Sequence, residues 1–359
     1  MRSRVLRGLA AAAALLATTA CSTDGGGSGS GPAPEATGAG ATAFPVKIAD
    51  CTGHETAFAG PAARIVTSNG SALEMLLQLG AGDRVIGTGF PPGPGTLPPA
   101  IAAQGAKVPV LGETGIAREK LLGSGADTYV DAFGAMDLMG GAGDAPTEAE
   151  FTAAGIRHVF LLSTACAATA KGPRTDLAEV EQDIRRLGAV TGTSPKAAEL
   201  VAAMDARTKA VGTALGGLPA DRRPGYFFFD FDAGTKQPVA LCNRQVGNAV
   251  MALAGARNVF ADCDADFRPV GWEDVVARNP DWIQLAVRDR GSEAENTKAY
   301  DEAERFLREF PAIKGLAAVQ QGHLLRIGSE VTTIAGTRNA DTVRRIAAAL
   351  HPELVGSGS

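Results

Sequence analysis

A repeated unit of amphipathic helix, Gly or Pro turn and short buried strand is the feature that most constrains this chain. In its first copy, residues 71–79 place leucines on one helical face, Gly80 ends the helix, and the apolar strand 85–87 follows. The unit recurs at residues 120–130, 147–162 and 272–287. Because helices that alternate with short apolar strands cover both faces of a sheet, the sequence predicts an α/β fold with mainly parallel sheets flanked by helices.

A long central helix divides the chain into two halves. Residues 194–215 predict this helix, which Ser194-Pro195 opens and Gly216-Gly217 closes. We expect a connecting segment of residues 193–217 to join an N-terminal lobe of residues 44–192 to a C-terminal lobe of residues 218–353. An ordinary packed helix would show the same pattern, so this alternative stays open.

The first 21 residues have the composition of an export signal. Three arginines precede an apolar run at residues 9–17, which is too short to span a bilayer, and small residues lead to Cys21. Residues 16–21 resemble the lipobox of bacterial lipoproteins, which implies a lipid on Cys21 and a location at the extracytoplasmic face of the cell membrane. Residues 22–43 predict a flexible tether and residues 354–359 a flexible tail. An ordinary cleaved signal is the alternative.

Charge and cysteine content narrow the choice of partners and compartment. Three of the 34 basic side chains lie in the signal segment, which leaves 31 against 39 acidic side chains and disfavours a nucleic-acid partner. Four cysteines remain after Cys21, and an even number in an exported chain suggests two disulfides. Of the three possible pairings we favour Cys51 with Cys166 and Cys242 with Cys263, because each bond then stays within one half. Free buried thiols are the alternative.

Ten short motifs, in order, resemble the solute-binding proteins of ABC importers for iron–siderophore complexes, cobalamin and related large ligands, the class III periplasmic binding proteins. The resemblance covers residues 44–353, and its motifs lie at 44–48, 50–53, 63–66, 72–80, 83–88, 163–166, 255–260, 271–276, 279–283 and 336–339. It implies two lobes joined by one rigid helix, a ligand cleft between them and a small closing movement. It also implies a monomer that delivers its ligand to an ABC permease dimer with its ATPase.

The same resemblance implies two glutamates that dock on the permease, at Glu74 and Glu273. We expect Glu74 and Gln78 to lie on the exposed face of their helix, opposite the leucines. Beside Glu273, the side chains of Trp272, Val275 and Val276 are expected to point inward. An exposed carboxylate can form a charge-assisted bond with a permease arginine and so fix the docking orientation. A solvated helix face without a partner is the alternative.

Loops that follow the strands are expected to line the ligand cleft. The candidates from the first lobe are Asn69, Phe90, Asp131 and Phe133, and those from the second lobe are Asp232, Phe267, Arg268, Arg288, Arg290 and Arg338. Arginines and phenylalanines together favour a large anionic ligand, and we expect a ferric siderophore. Corrinoid, haem and an anionic deazaflavin precursor remain alternative ligands. For Arg288 and Arg290, a solvated turn in which they pair with Asp289 is the alternative.

We predict no protein-bound metal, no cofactor apart from Fe³⁺ carried by the ligand, and no enzyme activity. The four histidines are scattered, and the calcium-like spacing of acidic residues at 262–273 lacks the glycine that its turn needs. Haem would need an axial Tyr or His, and Tyr129, Tyr226 and Tyr300 are expected to pack in strands or helices. The usual hydrolase motifs are missing from the sequence. An anchored hydrolase and a structural envelope protein are the alternatives from other classes.

Overall fold

Residues 42–93, 95–134 and 145–356 are described by the computed structural model, and all of them belong to the unit Ala39–Ser359. The predicted signal segment with Cys21, the tether up to residue 41 and residues 357–359 lie outside the described residues. Within the described ranges, every helix is too short or too polar to cross a membrane.

A parallel five-stranded sheet forms the centre of the N-terminal lobe. Its strands follow the order β5-β4-β3-β6-β7, and Val66 and Val130 on the neighbouring strands β3 and β6 are almost fully buried. An antiparallel pair, β1 and β2, precedes the sheet. The bounds are β1 Val46–Ala49, β2 Glu55–Phe58, β3 Ile65–Thr67, β4 Val85–Gly89, β5 Val110–Gly112, β6 Thr128–Asp131 and β7 Arg157–Phe160.

The helices of this lobe start where the sequence supplies capping side chains. Asn69 caps the first helix by accepting the backbone N–H of Ala72, and Thr147 forms a capping box with Glu150. The bounds are α1 Gly70–Gln78, α2 Pro99–Gly105, α3 Arg118–Leu122, α4 Glu148–Ala153, α5 Leu162–Ala165 and α6 Ala178–Thr191.

The predicted continuous strand at 156–162 is wrong at its end, because the chain leaves the sheet after Phe160. The buried carboxylate of Asp183 accepts the backbone N–H groups of Leu162 and Ser163 at 2.8 and 2.9 Å. These N–H groups start α5, and the interaction comes from a helix twenty residues further along the chain. Periodicity within the strand therefore contains no signal for its end.

The long helix α7, Ser194–Leu215, has the bounds that the sequence predicts. Gly216 ends it with φ 57°, a conformation that glycine adopts without strain. Three of its buried side chains, Val201, Met204 and Val211, belong to an apolar core shared with residues of both lobes. The helix packs against α6 on the N-terminal side.

A parallel four-stranded sheet of order β10-β8-β12-β13 forms the C-terminal lobe, with a separate antiparallel pair β11-β9. The strands are β8 Gly225–Asp230, β9 Val239–Leu241, β10 Arg257–Asn258, β11 Phe267–Pro269, β12 Trp282–Ala286 and β13 Leu324–Arg326. The helices are α8 Val246–Leu253, α9 Trp272–Arg278, α10 Glu293–Glu309, α11 Ala317–Gln320, α12 Glu330–Thr333, α13 Arg338–Leu350 and α14 Pro352–Val355. The α/β prediction with two mainly parallel sheets flanked by helices is confirmed.

The end of the chain differs from its prediction. Leu354 and Val355 belong to α14, and Val355 packs against the core. The predicted flexible tail from residue 354 is therefore wrong for these two residues, since both belong to a helix that Val355 packs against the core.

Two disulfides are present, and they are the pairs that the sequence favoured. Cys51 bonds to Cys166 with a Cα–Cα distance of 5.7 Å, and Cys242 bonds to Cys263 with 5.2 Å. Each disulfide lies within one lobe, so neither of them restrains the distance between the lobes.

Candidate functional site

One cleft lies where the carboxyl ends of both parallel sheets meet. Residues that follow β3, β4 and β6 line it from the N-terminal lobe, and residues that follow β8, β12 and β13 line it from the C-terminal lobe. Strand ends of open parallel sheets are the usual place for a ligand. The cleft holds two adjoining cavities of about 650 and 370 Å³, which we call the large cavity and the acidic cavity. They share Phe90, Arg288, Glu330 and Ile334.

Asn69 and Phe90 form the wall that the N-terminal lobe contributes to the large cavity. The Asn69 side-chain oxygen caps α1, while its Nδ2 is buried and has no hydrogen-bond partner among the described residues. Phe90 follows β4 and meets Phe133 edge to face, with ring centroids 6.2 Å apart. Phe133 lines the acidic cavity. Three of the four candidates from this lobe therefore line the cleft.

Asp131 lies behind this wall and lines neither cavity. Its carboxylate accepts the backbone N–H groups of Phe133 and Gly134 at 2.8 and 3.2 Å and contacts His158 Nε2 at 3.3 Å. The expected direct contact with ligand is wrong in this arrangement, because these three bonds occupy the carboxylate and other residues line the cleft. Asp131 instead holds the turn that presents Phe133.

Asp232 and Arg290 form an ion pair within the wall that the C-terminal lobe contributes. The Asp232 carboxylate also accepts the backbone N–H of Arg288 at 2.7 Å. The alternative in which both arginines pair with Asp289 is wrong, since Asp289 accepts from the Gly291 backbone and from Asn296. The Arg288 side chain lines both cavities and makes no ion pair with any described residue.

Phe267 and Arg268 are neighbours on β11, and only Phe267 faces the cleft. Phe267 lines the acidic cavity, and Arg268 is exposed and lines neither cavity. Successive side chains of a strand point to opposite faces, so the two cannot both face the cleft. The candidate role of Arg268 in ligand binding is therefore wrong.

Glu74 is buried, which corrects the expected exposed docking position. It is 4% exposed, its Oε2 lies 2.7 Å from the Arg338 guanidinium of α13, and Gln78 donates to its Oε1 at 3.2 Å. Burial raises the pKa of Glu74, and the charge of Arg338 partly offsets this. The contact joins the two lobes and places both residues in the lining of the large cavity.

The reason for this burial is that the C-terminal lobe covers the polar face of α1. The Thr337 hydroxyl donates to Gln78 Oε1 at 2.8 Å, and the Ser71 hydroxyl donates to the Ala335 carbonyl. The periodicity of residues 71–79 locates the leucine face correctly. It contains no information about a second surface that covers the opposite face.

Glu273 is exposed on α9, as expected. Trp272 and Val275 point inward, but Val276 is 41% exposed, which corrects the third inward position. The exposed side chains of Glu273 and Val276 lie outside the cleft, and both cavities are lined by other residues.

Glu330 and Thr164 are lining residues that the sequence reasoning missed. Glu330 Oε1 accepts the backbone N–H of Asp289 at 3.0 Å, and burial raises the pKa of its carboxyl group. It begins α12, four residues after β13 ends, so the strand-end rule applied to β13 would have found it. Thr164 lies in α5, a helix that begins at Leu162, where the sequence predicted the last residue of a strand.

The charges of the cleft are balanced in one cavity and negative in the other. Four carboxylates and four guanidinium groups line the large cavity, namely Glu74, Glu113, Asp289 and Glu330 with Arg288, Arg290, Arg338 and Arg345. Four carboxylates face a single guanidinium group in the acidic cavity, namely Asp230, Asp232, Asp266 and Glu330 with Arg288. The lining therefore has no excess of positive charge that would support the expected preference for an anionic ligand.

No cluster of three or more His, Cys, Asp or Glu side chains suited to a metal ion occurs in the described ranges. In the segment whose acidic residues have a calcium-like spacing, two carboxylates are paired with arginines. Asp262 pairs with Arg278, and Asp264 pairs with Arg244.

Replacement of Glu74 tests the ion pair between the lobes. We expect Glu74→Ala to lower the free energy of unfolding by about 2 kcal/mol, because it leaves the partly buried Arg338 guanidinium without its partner. Urea denaturation measures the loss, and Glu302→Ala on the exposed face of α10 is the control. A loss equal to that of the control would contradict the structural importance of the pair.

Loss of the proton from His158 should lower the stability of the protein as the pH rises. Burial lowers its pKa, but hydrogen bonds and charges of Asp131 and Glu148 more than compensate, so the net shift is upward. A raised folded-state pKa gives stability that is full below the unfolded value of about 6.5 and is lost as pH rises through the folded value. In the parent protein the urea midpoint should therefore decline above pH 6.5. We expect the His158→Gln variant to lack the share of this decline that comes from His158. Equal pH slopes for the variant and the parent protein would refute the prediction.

A family model described as periplasmic binding protein matches residues 65–331. A periplasmic binding protein from Veillonella parvula is 25% identical with a TM-score of 0.72, over 86% of this chain and 99% of that one. An ABC-type Fe³⁺-hydroxamate transport protein from Saccharomonospora viridis is 23% identical with a TM-score of 0.67, over 86% and 100%.

The periplasmic heme-binding protein RhuT from Roseiflexus sp. RS-1 is 20% identical with a TM-score of 0.58, over 81% of this chain and 100% of that one. No curated protein matches the chain. Since the family model spans most of the sequence, the chain belongs to the periplasmic binding proteins, the extracytoplasmic solute-binding components of ABC importers, which are not enzymes.

Proposed function

We propose that this protein captures a ferric siderophore between its lobes and presents it to the permease of an ABC importer. The observation that carries the proposal is the cleft itself, in which adjoining cavities of about 650 and 370 Å³ lie between the carboxyl ends of two parallel sheets. Such a space suits a large organic ligand rather than a bare metal ion. The Fe³⁺-hydroxamate transport protein from Saccharomonospora viridis, which shares the fold, is consistent with this choice.

The lining supports a ligand that has both polar and apolar surfaces. Asn69 offers a buried amide donor, and Arg288 offers a guanidinium group that is unpaired among the described residues. Phe90 and Phe133 supply apolar faces at the junction of the cavities. A siderophore presents carbonyl oxygens around the iron and hydrocarbon between them, so each kind of group finds a counterpart.

Haem is the second candidate because the phenol of Tyr300 lines the large cavity, where the sequence predicted only packing. Tyr300 would ligate ferric iron as a phenolate. Burial raises its pKa to about 12, which opposes loss of the phenol proton at neutral pH.

The proposed role also requires a membrane anchor and a contact with the permease. A lipid on Cys21 and the tether of residues 22–43 would hold the lobes close to the extracytoplasmic face of the cell membrane. Glu273 is the docking position that we retain, since its carboxylate is exposed outside the cleft. Glu74 is not retained, because Arg338 already occupies its carboxylate.

Ligand titration tests the function. We expect a ferric siderophore to bind with a Kd at or below about 1 µM, measured by calorimetry, and at 100-fold excess over Kd to stabilise the protein by about 2.7 kcal/mol. Asn69→Ser keeps a capping oxygen but removes the amide donor, so affinity should fall roughly tenfold at an unchanged melting temperature. Binding of hemin or a corrinoid, with no response to ferric hydroxamates or catecholates, would overturn the assignment.

Uptake by cells tests the docking position. We expect Glu273→Ala to reduce uptake of the ferric siderophore at least several-fold, because the charge-assisted bond to the permease is lost, while calorimetric affinity stays unchanged. Glu302→Ala, which removes an exposed glutamate from α10, is the control and should leave uptake intact. Normal uptake by the Glu273 variant would contradict docking through this residue.

A further inference from the structure

We infer that the acidic cavity binds a protonated amine of the ligand, so that the preferred ferric siderophore is a hydroxamate with a cationic arm rather than a polyanionic catecholate. This inference rests on the proposed function for the iron-bearing part of the ligand. It assigns a separate task to each cavity, the iron complex to the large one and the ammonium group to the acidic one.

The lining of the acidic cavity contains more carboxylates than guanidinium groups. Among the described residues Asp230, Asp266 and Glu330 form no ion pair, and their hydrogen bonds come from backbone N–H groups. Asp232 is paired with Arg290, which lines the other cavity. Arg288 is thus the one guanidinium group in the lining of the acidic cavity, although the charges of Arg174 and Arg244 act on Asp266 from outside the lining.

Burial makes this excess of negative charge costly. Burial raises the pKa of Asp230, with the charge of Arg288 as the main opposing effect, and it raises the pKa of Glu330. A bound cation would restore the electrostatic stabilisation that these carboxylates lose with water. The acidic cavity therefore has an excess of negative charge that a cationic group of the ligand can neutralise.

An unpartnered hydroxyl group in the same lining points independently to a ligand. Thr164 is 6% exposed, and its Oγ1 has no hydrogen-bond partner among the described residues. A buried hydroxyl without a partner costs free energy, and its oxygen can accept from an ammonium group.

Aromatic rings complete the lining. Phe90, Phe133 and Phe267 face the acidic cavity, and the first two meet edge to face. The face of an aromatic ring attracts a cation, and the attraction grows as water is excluded. Carboxylates, a hydroxyl oxygen and aromatic rings are the groups that together bind an alkylammonium ion.

Charge on the iron complex separates the two siderophore classes. Each hydroxamate carries one negative charge, so three of them neutralise Fe³⁺, whereas each catecholate carries two and leaves the complex strongly anionic. The charge-balanced large cavity accepts a neutral iron complex without bringing together like charges. An anionic complex would lie beside the unpaired carboxylates of the acidic cavity, which costs free energy.

The test compares two ligands that differ in a single charge. Ferric desferrioxamine B carries a free primary amine, and its N-acetyl derivative has the same iron centre without that charge. We expect the amine form to bind roughly tenfold more tightly at low salt, with the gap narrowing as ionic strength rises. Equal affinities, or tighter binding of the acetylated form, would overturn the inference.

Variants locate the effect. Glu330→Gln and Asp230→Asn keep an oxygen for the backbone N–H groups but remove the charge, and each should bring the affinity ratio of the two ligands close to one. Glu302→Gln, on the exposed face of α10, should leave the ratio unchanged. A ratio that stays near tenfold in both cavity variants would place the amine elsewhere and refute the inference.

A second pair of probes separates this inference from the proposed function. Phenethylammonium should give saturation-transfer NMR signals that Glu330→Gln abolishes, while neutral 2-phenylethanol should give weaker signals that the variant leaves unchanged. If the ferric compounds fail to bind but phenethylammonium binds in this way, the amine site stands and the siderophore assignment falls. If the ferric compounds bind equally and phenethylammonium does not bind, the siderophore assignment stands and the amine site falls. Failure of every probe overturns both.

Discussion

The continuous apolar core around α7 is the constraint on which the rest of the structure depends. Side chains of this 22-residue helix, among them Met204, belong to one core cluster with Leu76 of the N-terminal lobe and Ile346 of the C-terminal lobe. Closely packed buried side chains resist independent movement of the parts of the chain that they join. The helix thereby fixes how far apart the two parallel sheets lie, and their carboxyl ends form a cleft of defined volume.

Several charged side chains inside that cleft form ion pairs with one another. The pair of Glu74 with Arg338 joins the lobes, and the pair of Asp232 with Arg290 stiffens the wall of the C-terminal lobe. Ion pairs that are partly removed from water give position and specificity more reliably than net stability. The groups that these pairs leave available to a ligand are above all Asn69, Arg288 and three carboxylates of the acidic cavity, those of Asp230, Asp266 and Glu330.

Local patterns predicted the elements of the fold because they depend on nearby residues. The bounds of α7 followed from Pro195 and the glycines at its end, and the capping box at Thr147 lies within four residues. Most of the candidates that the structure places in the cleft follow strand ends, where the topology of parallel sheets brings loops together. Phe267, on β11, and Arg338, at the start of α13, are the exceptions. Where a distant residue intervenes, as Asp183 does at the end of β7, the local pattern failed.

The sequence by itself determined the α/β class, the bounds of α7 and most of the loops that line the cleft, since hydrophobic periodicity, helix capping and strand ends depend on neighbouring residues. It also favoured, among three possible pairings, the cysteine pairs that the structure contains. Only the tertiary structure decided which charges meet. It buried Glu74 against Arg338 and joined Gln78 to Thr337. The physical reason is that electrostatic and steric fit between the lobes depends on residues more than two hundred positions apart, whose approach no local pattern contains.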